Sequence, residues 1–409
     1  MGAGRNRLAA QIGNALFARV MQRNRGRSFG RIALAIAVLG VVATLLIPQA
    51  RSAAIVVLLL PHIFPGSIPR PLRWITTAPT VSEIRVDGAP GTMVADVYRP
   101  AGGGRHPAMI MLLGVNPLPR SDEQVATLAE GIARSGIVAV VAESEALLAG
   151  EIRLEEIDSL IALFEQLEQD PGVDPRRIGF SGFCVGGVLE LLAAADSRIA
   201  DRVSYVNAFS VYADTVDVLR AILGESMPSD SVPIPWAPSA LTREAFLRHI
   251  ISAQTTEQDR AILTRELIEL TPLTATEVQA LSPAGADVRA LLLSHDADSI
   301  EKGIVRLPAD LSERLRQLSP ISSVQGLRAR IFLMHDSSDT YLPVSGARKL
   351  AAALPTSIES HYTEFRLFAH VMPEGADDPA RFAGEMIKLF KHINQLFLAA
   401  NDESRSARP

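Results

Sequence analysis

Two regimes of hydrophobic patterning divide the chain. Residues 32–47, IALAIAVLGVVATLLI, carry no charge, and after Pro48 and Arg51 the stretch Ser52–Leu60 is apolar again. Each piece falls short of the ~20 residues that cross a bilayer, while together they exceed it. From about Val81 the pattern changes to short apolar runs separated by amphipathic stretches. Ser82–Val86 and Thr92–Arg99 alternate as a hairpin does, with Asp87-Gly88 and Pro90-Gly91 as turn signals between them. Ala108–Leu113, Ile137–Ala142, the run at Ile178, Val203–Phe209, Ala329–Met334 and Tyr362–Phe368 read as buried strands. Helical spacing covers Asp122–Arg134, Leu154–Gln169, Ser345–Ala353 and Pro379–Ala399. Strands alternating with helices in this way predict an α/β fold, a mostly parallel sheet covered by helices.

Between about Tyr212 and Leu318 the alternation breaks into helical patterns at Arg243–Ser252, Thr256–Leu270, Ala275–Leu281 and Ala309–Leu318. The organisation expected is therefore a basic tail over 1–31, a hydrophobic membrane segment or segments over 32–64 and a Pro-rich linker over 65–80. An α/β domain follows over 81–400, with a helical cap at about 212–318, and a disordered tail over 401–409. Pro61, Pro65, Pro69 and Pro71 make the linker stiff and exclude helix or central strand there.

Charge sharpens the amino-terminal part. The net charge of −5 hides seven arginines and no acidic residue within 1–31. Leu8, Ile12, Leu16 and Val20 stand four apart among them, as in a basic amphipathic helix on anionic lipid, or the segment is a disordered charged tail. A basic tail before an apolar run reads as a membrane-orienting flank and not as a nucleic-acid arm. Membrane lipid is thus the partner expected of residues 32–64, as one kinked span, a re-entrant hairpin or an uncleaved signal anchor. Arg70 and Arg73, after the apolar segment, favour the cytoplasmic side for the domain. One cysteine in 409 residues excludes an intramolecular disulfide and a cysteine-based zinc cluster. The histidines and carboxylates show no metal spacing, and Gly102-Gly103-Gly104 lacks the helix and lysine of a phosphate loop, so neither metal nor cofactor is expected.

That lone cysteine sits in Gly182-Phe183-Cys184-Val185-Gly186-Gly187, between a strand and an apolar helical pattern. A strand-to-helix turn this sharp strains its central residue and needs neighbours without side chains two positions away. It lifts a nucleophile clear of the sheet beside a helix amino end, where backbone N–H groups favour a thiolate and an oxyanion. A cysteine nucleophile needs a base, and the base an orienting acid. Asp339 follows the strand Ile331–Met334, and His370 follows the strand ending at Phe368. Nucleophile, acid, histidine is the order expected of an α/β-hydrolase. Asp336 is the rival acid, its spacing to Leu342-Pro343 fitting less well. His335 reads as a strand-end residue, and His295-Asp296 as part of the insertion's helices and loops.

From about 82 to 400 the chain resembles the α/β-hydrolase superfamily, and its elbow resembles the dienelactone hydrolases, which use Gly-x-Cys-x-Gly-Gly. The likeness extends to Gly114-Val115-Asn116, to Asp174-Pro175-Arg176-Arg177-Ile178-Gly179, to Asp339 and to Ala369-His370. It implies Cys184 as nucleophile, His370 as general base and Asp339 as its orienting acid. It also implies an oxyanion hole from the N–H of Val185 and an N–H among Leu113, Gly114 and Val115. Two positions depart from that family. Met111 stands where a glutamate meets the resting cysteine, and Glu374 where an arginine helps bind a substrate carboxylate. The insertion resembles the caps of lipases and esterases. The expected activity is hydrolysis of a carboxylic ester, lactone or thioester through an acyl-cysteine, on a lipophilic small-molecule acyl substrate. An acyltransferase with the same site and a non-catalytic, membrane-tethered binding protein are the alternatives.

Overall fold

A computed structural model describes residues 47–66, 68–88, 91–115, 119–228, 232–254, 256–373 and 378–403. The chain divides into two compact units, Met1–Ile55 and Val56–Pro409. The tail over 1–31, most of the apolar run 32–47, Asn116, Glu374 and residues 404–409 lie outside the described residues.

The second unit is built on one eight-stranded sheet. Its strands are β1 (Thr80–Gly88), β2 (Gly91–Arg99), β3 (His106–Leu112), β4 (Val138–Glu143), β5 (Val173–Phe183), β6 (Tyr205–Phe209), β7 (Arg330–Asp336) and β8 (Ser360–Phe365). They lie in the order β1-β2-β4-β3-β5-β6-β7-β8. Strand β2 runs antiparallel to both neighbours and every pair from β4 onward is parallel. One antiparallel strand near the edge, a crossover from β3 to β4 and a sharp turn after β5 are the arrangement of an α/β-hydrolase fold.

Alternation along the strands gives the sheet two apolar faces, as parallel strands require. Ala108, Ile110, Leu112, Val138, Val140 and Phe180 pack in one cluster with α2 (Glu156–Glu168) and α3 (Val185–Ala195). The opposite face presents Met109, Met111, Phe209 and Met334 towards α1 (Glu123–Arg134) and α5 (Pro379–Ala400), while α4 (Val344–Ala353) packs beside β7. Caps placed by sequence hold these helices. Asp122 accepts from the backbone N–H of Gln124 and Val125, and Asp378 from that of Ala380.

Among its described residues the insertion forms seven helices, Thr215–Gly224, Ala240–Ser252, Glu257–Leu267, Ala275–Gln279, Pro283–Leu292, Ala297–Val305 and Ala309–Gln317. They share their own apolar cluster around Ile250, Leu263, Leu291 and Leu311. The helices at Thr215, Pro283 and Ala297 go beyond the four that periodicity picks out.

Two expectations need correction. The Pro-rich linker contains a short helix, Leu72–Ile75, because Pro71 stands at its N-cap, where a missing N–H costs nothing. The apolar stretch expected to meet lipid over 32–64 extends into the second unit. From Val56 it belongs to the α/β unit, with Val56, Leu59 and His62 fully or almost fully buried. A Cβ on Gly131 of α1 would lie 2.7 Å from His62 Cβ, so that glycine is what lets the segment approach. Among the described residues no helix is long and apolar enough to cross a membrane. Finally, the strand expected over Tyr362–Phe368 stops at Phe365, because Asp336 captures the N–H groups of Leu367 (2.7 Å) and Phe368 (2.8 Å) and turns the chain aside.

Candidate active site

Cys184 occupies the single residue between β5 and α3, with φ 56° and ψ −133°. Left-handed backbone on a non-glycine residue stores strain of about 1–3 kcal/mol and persists only where the surroundings enforce it. Here the surroundings are glycines. A Cβ on Gly182 would meet Gly187 Cα at 2.6 Å and collide with the Glu190 carboxyl, and one on Gly186 would collide with the Leu112 carbonyl. The turn is further tied by Cys184 N–H donating to Phe209 O at 2.8 Å. Val185 is the first residue of α3, so its N–H is among the unpaired donors of a helix start. Across from it runs the loop Leu113-Gly114-Val115. A Cβ on Gly114 would lie 2.6 Å from Cys184 Cβ and 3.2 Å from its Sγ, so backbone there approaches the sulfur as no side chain would allow.

His370 sits in the turn of a two-residue hairpin, Phe368–Ala369 with Met372–Pro373, also at φ 56°. Its Nδ1 pairs with Asp339 Oδ2 at 2.8 Å, which leaves Nε2 for the hydrogen bond to Cys184. Asp339 is almost wholly buried and its other oxygen accepts from the N–H groups of Tyr341 (2.6 Å) and Leu342 (3.2 Å). Burial alone would raise the Asp339 carboxyl. The hydrogen bond and charge of His370, with smaller help from His335 and Ser210, hold it below the ordinary range instead. Burial likewise opposes charge on His370, yet Cys184, then Asp339, hold it up to about 10. The site thus favours a charged imidazole between Cys184 and the buried Asp339 carboxylate.

The structure brings Cys184, Val185, Leu113, Gly114, Val115, Asp339 and His370 into one place. Asp336, the rival acid, is spent on the backbone of the histidine-bearing segment and on Ser338. His335 lies behind the acid, its Nε2 at 3.0 Å from Leu342 O. His295 lies between two cap helices, where Asp296 serves as an N-cap.

Four contributors escape sequence reading. Ser210, at φ 57° just after β6, hydrogen-bonds the Asp339 carboxylate and reaches His370 Nδ1 at 3.0 Å. Nothing in a serine's identity announces such a backbone. Tyr341 stacks on the His370 ring with centroids 4.4 Å apart and 19° between planes. Trp236 of the insertion donates Nε1–H to Asp339 O at 2.7 Å. Glu190, fully buried on α3, accepts from Leu112 N–H at 2.8 Å and so joins the helix behind the nucleophile to the end of β3. Burial raises its carboxyl well above the ordinary value, with only the Leu112 hydrogen bond opposing.

Cys184 and His370 open onto a cavity of about 480 Å³. Its walls come from the sheet (Met109, Met111, Val141), α1 (Val125, Leu128, Ile132), α5 (Leu389, Ile393, Leu396, Phe397) and the early segment (Leu59, Ile63). Among its described residues, the insertion contributes Leu241 alone to this wall. It packs on its own core and braces the acid loop through Trp236, Ser239 and Thr242.

No family model and no curated protein sequence matches the chain. Among solved structures it is similar to an uncomplexed acylaminoacyl peptidase from Pyrococcus horikoshii, at 16% identity and a TM-score of 0.47, covering 80% of this chain and 43% of that one. It is similar to a 2,6-dihydroxy-pseudo-oxynicotine hydrolase at 14% identity and a TM-score of 0.45, covering 79% and 68%. A third likeness is to DcsB, in complex with its substrate analogue, at 14% identity and a TM-score of 0.43, covering 76% and 99%. The chain spans less than half the length of the peptidase. Strand order and direction, and not these distant likenesses, carry the fold assignment.

Proposed function

We propose that the protein hydrolyses a carboxylic ester, lactone or thioester through an acyl-Cys184 intermediate. The observation that carries this reading is the placement of Cys184 and His370 at one cavity, with His370 Nδ1 held by the buried Asp339. The Gly-x-Cys-x-Gly-Gly elbow supports a relation to dienelactone hydrolases, while Met111, which lines an apolar cavity, gives the substrate a different character.

In the proposed reaction the thiolate adds to the carbonyl carbon and the carbonyl electrons move to oxygen. The N–H of Val185 and an N–H of Leu113–Val115 receive that oxyanion, each such donor being worth about 10²–10³ in rate. The imidazolium of His370 gives its proton to the departing alkoxide or thiolate, leaving acyl-Cys184. Acylation removes the thiolate charge, the foremost influence raising His370, so the imidazole returns toward its ordinary pKa. It then takes a proton from water as the water attacks, and the collapsing intermediate expels the Cys184 thiolate. Asp339 and Ser210 fix the ring throughout. The test is Cys184→Ala. Hydrolysis of short p-nitrophenyl esters should fall to background while the melting temperature stays within a few degrees, and undiminished turnover overturns the assignment.

Attachment to membrane lipid narrows, in this reading, to the part of 32–64 before Val56, supported by the uncharged run 32–47 behind seven arginines. Flotation of the chain with anionic vesicles tests it, and recovery in the unbound fraction overturns it.

A further inference from the structure

The cavity at the nucleophile has a direction, and the strand register measures it. Side chains on the α1/α5 face of the sheet form rows at fixed depths below the elbow. Phe183, Phe209 and Met334 are paired across β5, β6 and β7 in the row beside Cys184. Below them come Ser181 and Asn207, a directly paired couple, with Met111 and its partner Val141 on the next two strands. The lowest row holds Met109, which pairs with Gly179. All three rows contribute to the cavity wall. Met109 therefore lies five residues below Cys184, or ~16 Å at ~3.3 Å per residue.

The helices agree with that depth. Both run antiparallel to the strands they follow, so Val125, Leu128 and Ile132 line the cavity at increasing depth on α1. Leu389, Ile393 and Phe397 do so on α5. Seven residues from Val125 to Ile132 cover ~10 Å at ~1.5 Å each. The space therefore runs deep along the strands, away from Cys184.

Its chemistry is uniform. Asp122 and Gln124 stand at the start of α1, near the mouth. Deeper, the wall is Met, Leu, Ile, Val and Phe, with Ser181 and Asn207 as the polar interruption. Those two are occupied with each other and with the protein. Asn207 Nδ2 donates to Ser181 Oγ at 3.1 Å, and Asn207 Oδ1 pairs with His392 Nε2 at 2.9 Å. His392 in turn meets Thr363 Oγ1 at 2.9 Å. The slot asks its occupant for no hydrogen bond beyond those at the carbonyl.

We infer that this slot is the binding site of a single long acyl chain, its carbonyl at Cys184 and its methyl end near Met109 between Ile132 and Phe397. The inference rests on the hydrolase reading and deepens it, making the substrate class fatty-acyl esters or thioesters. An extended chain advances ~1.2 Å per bond, as an extended backbone does over three bonds per ~3.6 Å residue. A depth of ~16 Å then holds a chain of about 12–14 carbons. Each buried methylene contributes about fourfold in kcat/KM, the equivalent of ~0.8 kcal/mol. The chain passes between the sheet and α1 and α5, with no part of it under the cap helices except at Leu241.

The experiment uses the full chain and p-nitrophenyl esters from two to sixteen carbons. kcat/KM should climb about fourfold per added methylene over the middle of the series and level off near twelve to fourteen carbons. Leu128→Trp, at a half-buried wall position halfway down, should move the plateau to about six to eight carbons. Ile393→Phe obstructs the slot from the opposite helix and should shorten the optimum as well. It guards against a folding defect in the first variant, with melting temperature as the check. A chain-length profile that is flat in the parent, or that neither folded variant shifts, overturns the acyl slot while acetate ester hydrolysis still supports the hydrolase. Failure of the hydrolase reading looks different, with no Cys184-dependent hydrolysis at any chain length.

Discussion

Replacing Asp339 by asparagine tests the site at the group that decides its proton positions. Asp339 Oδ1 is held by the N–H groups of Tyr341 and Leu342, so the asparagine must place its amide oxygen there. Its NH₂ then faces Ser210 and His370 Nδ1 in place of the carboxylate oxygen. The imidazole responds by presenting Nδ1 as an acceptor and moving its proton to Nε2, where it cannot act as a neutral base. The imidazolium form, with N–H on both nitrogens, meets the amide donor head on, and Asp339 no longer raises the His370 pKa. Wrong-tautomer substitutions of this kind cost about 10⁴-fold, or ~5.4 kcal/mol at 1.36 kcal/mol per decade. The assay is kcat and KM for an ester, with the rate of Cys184 alkylation by iodoacetamide followed over pH. kcat should fall by about 10³–10⁴ with KM little changed, and alkylation at neutral pH should slow as the charged imidazole beside Cys184 is lost. A loss of less than tenfold in a folded protein would refute the assignment of Asp339 as the orienting acid.

Other outcomes follow from the same geometry. Because His370 is held up to about 10, its charged form is present below that pH and is lost above it. The alkaline limb of kcat/KM should therefore fall through about 10, and a limb near the ordinary histidine value of 6.5 would contradict the pair. Gly114→Ala places a methyl 2.6 Å from Cys184 Cβ, and should lower kcat at least 10²-fold with a normal circular dichroism spectrum. Glu190 has a folded-state pKa raised above its unfolded value, so the wild-type fold loses stability as pH rises from about 4.5 towards that higher value. Glu190→Gln keeps an acceptor for Leu112 and removes this loss. It should melt higher than wild type at pH 8 and no higher at pH 4, and equal differences at both would disprove a buried neutral carboxyl.

The sheet, its helices and the turn at Cys184 are legible in the sequence because each leaves a local mark. Apolar runs and helical spacing mark the layers, and the elbow cannot be made without Gly182 and Gly186 around Cys184. The origin of the acyl slot is not marked. Leu59 and Ile63 sit in an apolar stretch long enough to suggest lipid, and hydrophobicity alone does not say whether such residues face a bilayer or a protein cavity. The insertion misleads for a related reason, since its apolar positions satisfy a core of their own around Leu263 and Leu291. Ser210 and Trp236 act through a hydroxyl and an indole N–H brought from distant segments, and no spacing encodes that. Asp339 over Asp336 is a distinction of three residues. It turns on which carboxylate the backbone of Leu367 and Phe368 has already claimed.

Cys184, Ser210 and His370 share a φ of 56–57°, and this narrows the substitutions open to the site. Left-handed backbone admits glycine and, at some cost, short unbranched side chains, while branching at Cβ makes it a true outlier. Serine can take the place of Cys184 without disturbing the turn, so the elbow can exchange a sulfur nucleophile for an oxygen one in a single step. Threonine would bring the same hydroxyl and is shut out by the backbone. At position 210 the exclusion of threonine matters more, since it is the only other aliphatic residue able to put a hydroxyl beside Asp339. The mutational neighbourhood of this site is set by torsion angles before chemistry is consulted, and it is wide at the nucleophile and closed behind the acid.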